Sequence, residues 1–423
     1  MTIGELKNKR ILILGFGKEG LDTLNFLRKV FPGKIIGVGD RNEKIKKDNK
    51  TRWHLGRNYL RAIKNYDVII KSPGIPIHLP EIEKAYKQSK ITSQTEIFFD
   101  NCPGKIIGVT GTKGKSTTSA LIYNVLKEAG LKTHLVGNIG KPVLNLLFSA
   151  TKNDIFVYEL SSHQLYNLKK SPYIAVLLNI YQEHLDYYKN FKEYKYAKAN
   201  IILYQKKSDF VVFNAKDKTV SQIVKKTKAK KIQIRGDYYD LNIAAARAVG
   251  RIFKIPAKKI EKAIKNFKPL PHRLEYVGTF KGIKFYNDAL STIPETTIAA
   301  LDYLGNSIQT LFLGGFDRGL KFGKLADRVL KSKVLNLVLF PFTGAKIWKV
   351  LRLASLAQGK TLPKHFFTNK MSKAVKWAYE NTERGKICLL SCASPSFSIF
   401  KDYKEKGSLF KKYVKKFGKH GKI

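Results

Sequence analysis

Apolar residues fall along this chain in short solid runs, separated by stretches in which they return every three to four positions. Solid runs closed by glycine or proline mark strands buried on both faces, and the wider spacing marks helices with one apolar side. RILILGFGKEGLDTLNFLRKV (10–30) reads as a strand, a glycine turn and a helix, and KIIGVGD (34–40) as a second strand ending in Asp40. YDVIIKSPGIP (66–76) is a further strand closing on a Pro-Gly turn, and KITSQTEIFFD (90–100) completes the first alternating block before NCPGK (101–105). The alternation resumes with a strand at 105–109 and a helix at 117–130, then THLVGNIG, NDIFVYELSS, YIAVLLNI, a polar helical stretch to 205, DFVVFNA and KKIQIRG. Helices are expected at 240–253 and 256–267, before the proline-rich hinge KPLPHRLE (268–275). IKFYNDA, IQTLFLGG, VLNLVLFP and ICLLSC supply the strands of the remainder. The pattern predicts an α/β protein of three domains with parallel, doubly wound sheets: 1–100, 101–269 and 270–423.

The most specific chemical signal is GVTGTKGKST (108–117), lying between a predicted strand and a predicted helix. Gly111 and Gly114 let the backbone curl so that N–H groups face phosphate oxygens, with Thr112 and Lys113 between them. Lys115 can reach the β/γ-phosphates, and the hydroxyl of Ser116 or Thr117 can ligate Mg²⁺. The strict pattern asks for glycine where Val109 stands, and the nearest is Gly108. ATP with Mg²⁺ is the expected cofactor pair.

GFGKEG places Gly15, Gly17 and Gly20 at the first strand–helix turn, with Asp40 ending the next strand. That is a Rossmann-like opening, suited to the diphosphate of NAD or of any diphosphate-linked nucleoside.

The 423 residues carry a formal charge of +47, which raises the question of a polyanionic partner. The lysines are scattered, with dense runs only at 43–50, 225–231 and 411–423, and these runs lack the interleaved aromatics of a base-stacking surface. The expectation is a basic surface that gathers anionic substrates, with no specific nucleic-acid partner. No apolar run is long enough to span a bilayer, and the first residues lack the pattern of a signal peptide. Cys102, Cys388 and Cys392 have no metal-binding spacing and read as free thiols. A cytoplasmic, monomeric protein without membrane insertion is expected.

The ordered series GFGKEG, SPGIP, GVTGTKGKST, GNIG, YELSSHQL, LNIYQEHLD, YKYAKANI, LPHRLE, NDALST, LGGFDRG and SPSFSIFKDYKEKG resembles the Mur ligase family along nearly the whole chain. Folate polyglutamate synthases share the P-loop and central domain but do not begin with this Rossmann-like block. The resemblance implies an ATP-dependent amide ligase of peptidoglycan precursor synthesis. It would add glutamate to UDP-N-acetylmuramoyl-L-alanine through an acyl phosphate. A dinucleotide-dependent oxidoreductase and a nucleic-acid-binding NTPase are the more distant alternatives.

Residue by residue, the resemblance implies Mg²⁺ ligation by Ser116 and Glu159, and a second Mg²⁺ organised by His184 and a carbamylated Lys198, with Asp186 orienting the histidine. Asn138 and His184 fall where the acceptor is contacted, and Gly17, Lys18, Asp40 and Gly74 where its uridine diphosphate end is held. Asn242 falls near the adenine, after Tyr238 and Tyr239 in place of the family's usual pair. Arg273 falls on the γ-phosphate, and Asp288 on ATP from the third domain. Lys115, Lys198, His184 and Arg273 are the implied catalytic set. Thr292, Arg318, Ser396 and Tyr403 match the glutamate pocket. D-glutamate is the family default. Leu290 in place of a lysine, with Arg318, points to an L-glutamate-adding variant as the alternative.

Overall fold

A computed structural model describes residues 1–138, 140, 143–184, 187–397 and 399–419. The chain forms two compact units, Met1–Phe267 and Lys268–Ile423.

The first unit opens with β1 (Ile11–Leu14), α1 (Lys18–Val30), β2 (Ile36–Asp40), β3 (Thr51–Leu55), β4 (Val68–Lys71), α2 (Pro80–Lys87), β5 (Ile91–Thr92) and α3 (Gln94–Asn101). Its strands form one parallel sheet in the order β3-β2-β1-β4-β5. The order reverses between β1 and β4, so the loops after these two strands flank the crevice where such sheets take ligands. Gly15 holds φ +90°, and a Cβ on Gly20 would fall 2.2 Å from the Gly15 carbonyl oxygen. These two glycines are required by the turn itself. Gly17 has nothing within 4 Å, which leaves open space above the start of α1.

The same unit continues with β6 (Lys105–Thr110), α4 (Lys115–Glu128), β7 (Thr133–Gly137), β8 (Ile155–Glu159), α5 (Ser162–Leu165), β9 (Ile174–Leu177), α6 (Phe191–Leu203), β10 (Phe210–Asn214), α7 (Lys218–Val224), β11 (Lys230–Ile234), α8 (Tyr238–Ile252) and α9 (Ala257–Lys265). The second sheet is parallel throughout, in the order β11-β10-β9-β6-β8-β7. Because β6 lies between β8 and β9, the loops leaving these three strands emerge side by side. One apolar core joins the two sheets: Phe26 and Phe98 of the first pack in the same cluster as Phe156 and Tyr158 of the second. The opposite face of the second sheet is covered by α4, α8 and α9 through Leu121, Val125, Ala245, Val249 and Ile260. Each fully buried side chain of the larger kind contributes roughly 1.5–3 kcal/mol.

The second unit comprises β12 (Glu275–Phe280), β13 (Ile283–Asn287), α10 (Pro294–Leu304), β14 (Ile308–Gly314), α11 (Gly323–Leu330), β15 (Asn336–Phe340), α12 (Thr343–Gln358), β16 (Lys364–Phe367), α13 (Met371–Asn381), β17 (Ile387–Leu390) and α14 (Tyr403–Lys419). Its sheet runs β12-β13-β17-β14-β15-β16, parallel except for the β12–β13 hairpin. The hairpin is an addition to the expected pattern. Lys281 and Gly282 both take positive φ (51° and 80°), the backbone that a two-residue turn between twisted antiparallel strands requires. Separate apolar clusters fill the two faces of this sheet. Among the described residues no helix is long and apolar enough to cross a membrane.

Candidate functional site

The loop after β6 is shaped by its neighbours. Thr112 N donates to the Asn179 carbonyl at 2.7 Å and Lys113 N to Asn179 Oδ1 at 2.9 Å, so these two amides hold the loop to the end of β9. That narrows the expectation from sequence, because the Thr112 and Lys113 amides are engaged within the protein. Gly114 turns the chain into that helix at φ +87°, with a would-be Cβ only 2.6 Å from Asn242 Oδ1. Asn242 is buried on α8 and accepts from Thr118 Oγ1 at 2.9 Å, supporting the loop from behind. Ser116 and Thr117 are buried in the first turn. Lys115 Nζ folds back onto the carbonyls of Gly111 and Thr112, both at 2.9 Å.

Glu159 ends β8 directly opposite Val109 of β6. Its carboxylate is buried, and Oε2 has no hydrogen-bond partner among the described residues. A carboxyl oxygen shut away from water without a donor is a position that a cation would satisfy. Lys198 comes from α6, 1% exposed, and donates to the Gly111 carbonyl at 2.9 Å. Burial holds its amine well below the usual lysine range, and Lys115 and Lys113 push the same way against Glu183 and Glu159. A lowered pKa favours the neutral amine, whose lone pair is the nucleophile toward carbon dioxide.

From the loop after β9 come Glu183 and His184. Burial acts to raise the Glu183 carboxyl, but Lys113, whose Nζ lies 2.9 Å away, and His184 bring it down to about 2. His184 sits at φ +59° with Nε2 3.7 Å from Glu183 Oε2, and burial lowers its pKa. Its ring meets His163 edge-on at 4.8 Å. Among the described residues no three His, Cys, Asp or Glu side chains form a metal-binding group by themselves. Glu159 and Ser116 offer side-chain oxygens of the kind that a hard cation takes. Asp186 lies outside the described residues.

Asn138 is exposed at the end of β7, its N–H directed to the Glu159 carbonyl at 3.5 Å. At the carboxyl end of the first sheet, Gly17 caps α1, Lys18 stands exposed in its first turn, and Gly74 is open with nothing within 4 Å. Ser72 Oγ ties the SPG loop to the Gly15 carbonyl at 2.7 Å. Asp40 spends both oxygens on backbone amides, Phe16 N at 2.6 Å and Asn42 N at 2.7 Å. It therefore sets the shape of the glycine turn.

Sequence reasoning missed a buried polar seam between the two sheets. Gln164, fixed by a capping box with Ser161, donates to Glu19 Oε1 at 2.8 Å. Burial raises Glu19 to about 7 and lowers Lys71 to about 8. Lys71 Nζ donates to the carbonyls of Ser72 and Ile75 and to Tyr187 OH. Glu19 and Gln164 are 145 positions apart, so spacing along the chain carried no sign of them.

In the second unit, Asp288 follows β13 and is fully enclosed. It accepts from Ser291 Oγ, from Ser391 Oγ at 2.9 Å and from Leu274 N at 3.1 Å, and burial raises it to about 6. Arg273 acts on it electrostatically. Tyr403 meets His272 edge-on at 6.1 Å, and the Arg318 guanidinium lies 5.9 Å over the Phe397 ring. Thr292 is half-buried after β13, and Ser396 is buried in the loop after β17.

Residues 109–265 match the model of the Mur ligase middle domain, and residues 9–92 that of the Mur ligase MurD-like N-terminal domain. The chain is 34% identical to the UDP-N-acetylmuramoylalanine--D-glutamate ligase of Acetivibrio thermocellus, over 97% of each chain. It is 30% identical to the same-named enzyme of Clostridium tetani, over 96% of this chain and 97% of that one. Among solved structures, MurF ligase from Thermotoga maritima in complex with ADP aligns with a TM-score of 0.60 at 16% identity, over 98% of both chains.

Proposed function

The chain belongs to the Mur ligase family, and from that premise we propose that it joins glutamate to UDP-N-acetylmuramoyl-L-alanine at the expense of ATP. The observation that carries the reading is the set of groups around the β6 loop: a retracted Lys115, the partnerless Glu159 oxygen and the deprotonation-prone Lys198. The near full-length likeness to D-glutamate ligases supports the choice of substrates.

In this reaction the alanine carboxylate attacks the γ-phosphorus, giving an acyl phosphate and ADP. The glutamate amine then attacks the acyl carbon, phosphate leaves with the bonding pair, and the amine gives up a proton. Lys115 leaves the carbonyls of Gly111 and Thr112 for the β/γ-phosphates, offsetting charge as it moves to the leaving group. Ser116, Glu159, His184 and a carbamylated Lys198 would hold two Mg²⁺, which would neutralise phosphate charge. Asn242 and Gly114 keep the loop in register. Arg273 and Asp288 serve ATP from the second unit. Asn138 and His184 orient the acceptor, whose diphosphate lies over Gly17 and Lys18, near Asp40 and Gly74. Residues 1–100, 101–269 and 270–423 would then take the UDP end, ATP and glutamate in turn, in a cytoplasmic monomer.

D-glutamate is the proposed donor of the amine. Leu290, apolar beside the buried Asp288 segment, and Arg318 favour the L-isomer as a second reading, because moved cationic contacts change which mirror form finds both its donors. Purified protein with ATP, Mg²⁺ and UDP-N-acetylmuramoyl-L-alanine, given each isomer separately, decides both questions. The expected result is release of phosphate with a matching dipeptide product, faster for D-glutamate. No product from either isomer would overturn the function. Preference for L-glutamate would overturn the stereochemistry alone.

A further inference from the structure

From Arg328 to Tyr379 the chain runs 52 residues with eleven lysines and arginines and not one aspartate or glutamate. The segment takes in the end of α11, then β15, α12, β16 and most of α13, all within the second unit. α12 lays Ile347 and Leu351 against the sheet, as a helix with one apolar side should. Its outer side is not simply polar. Leu353 and Leu356 stand there 59% and 77% exposed, and Phe342, at the head of the helix, is 64% exposed. Among the described residues no large apolar side chain is more exposed than Leu356. Helical spacing puts these three on one stripe with Lys349 and Arg352. The apolar surface extends to the sheet edge: Trp348 stacks on His365 of β16 at 3.9 Å, and His365 meets the exposed Phe367 edge-on at 5.5 Å.

An apolar stripe set among cations suits an occupant that offers apolar groups and negative charge together. The protein does not supply that charge itself. Of the eleven cations, Arg328 and Lys346 alone form ion pairs among the described residues, with Asp302 and Asp317. Asp327, which also touches α12, accepts from Gln358 Nε2. A second copy of a chain with charge +47 is repelled. β16 is a four-residue edge strand opening with Lys364, a form that discourages another strand from adding to it. A bilayer rich in anionic lipid needs neither strand register nor a pocket. It takes single bulky side chains at headgroup depth, while lysines and arginines reach the lipid phosphates.

We propose that the α12–β16 face of the second unit docks on an anionic lipid bilayer, with Phe342, Leu353 and Leu356 at the boundary of headgroups and acyl chains and Lys349, Arg352 and Lys364 on lipid phosphates. The contact is peripheral, since among the described residues no helix is long and apolar enough to cross a membrane. Sedimentation of the full chain with phosphatidylcholine vesicles, plain or carrying about 30% phosphatidylglycerol at about 0.15 M salt, tests it. Wild type is expected to pellet with the anionic vesicles and to stay in solution with the plain ones. A +47 chain is drawn to any anionic surface, so the variants carry the test. Lys349→Ser/Arg352→Ser/Lys364→Ser should weaken partitioning by about tenfold or more. Lys225→Ser/Lys226→Ser/Lys228→Ser, which removes the same charge from exposed positions of the first unit, should weaken it by about threefold or less. Leu353→Ser/Leu356→Ser keeps every charge and should also cost about tenfold. All eight positions are exposed, so melting temperatures should stay at the wild-type value. Equal losses from the two triple variants, or no loss from the leucine pair, would overturn docking at this face and leave only diffuse attraction. Binding of soluble poly-L-glutamate that depends on this face, with none to the anionic vesicles, would overturn it in favour of an acidic protein.

Discussion

Glu19 stands in the first turn of α1, where a helix favours an acidic side chain, yet it turns inward to Gln164 and is denied water. Burial is the largest influence on it, Asp22 adds to the rise, and Gln164, Lys71 and Lys18 oppose it; the outcome is a carboxyl near 7 in place of 4.5. The sign for stability follows. Below about pH 4.5 folded and unfolded chains both hold the proton. Between there and about 7 only the unfolded chain releases it, so stability falls as pH rises, by on the order of 3 kcal/mol. Lys71, lowered to about 8 from 10.5, has its own effect in the window above, where stability is lost as pH falls through 8. Glu19→Gln should therefore be more stable than wild type at pH 7.5 and nearly equal to it at pH 5. Urea unfolding of both proteins at the two pH values checks this, and parallel pH profiles would mean that Glu19 ionises freely.

At the scale of elements, the β1–α1 turn separates two uses of glycine. Gly20→Ala drives a methyl into the Gly15 carbonyl, backbone against backbone, and should cost roughly 2–4 kcal/mol. Gly17→Ala meets nothing within 4 Å at an ordinary φ of −77°, so the fold should keep its melting temperature while affinity for the UDP-linked substrate drops. Thermal unfolding and substrate titration on the two variants distinguish them; equal destabilisation would mean that Gly17 too is a folding residue. Such turns were legible in the sequence because their demands are local. So were β1, β6, β9, β14 and β17, which are buried on both faces and read as solid apolar runs. β3 was not: TRWHL alternates weakly, follows a basic run, and becomes a strand by pairing with β2. β16, KHFF, is an edge strand for the same reason. The P-loop residues, Glu159 and Lys198, singled out by their motifs, lie after β6, at the end of β8 and on α6, with Lys198 bonded to the Gly111 carbonyl. The Lys113–Glu183 pair and the Glu19–Gln164–Lys71 seam join loops from different strands, and only the sheet order brings them together.

Over the whole molecule the +47 charge acts on every anionic substrate at once. A field summed over scattered lysines steers ligands from a distance and is screened by salt. Raising salt from about 50 to 300 mM should therefore increase KM for ATP and the UDP-linked acceptor by several-fold, and KM for glutamate, which carries less charge, by less. Steady-state kinetics across that range check it, and salt-independent constants would confine the charge to solubility. Each of the three sheets is also built from an unbroken stretch of chain, the first ending at Thr92. During synthesis its strands can pair before the second sheet exists, yet Phe98 packs on Phe156 and Tyr158, made roughly sixty residues later. At about 5–20 residues per second, a nascent chain therefore carries that aromatic surface uncovered for several seconds, the interval in which a chaperone at the ribosome exit has something to hold.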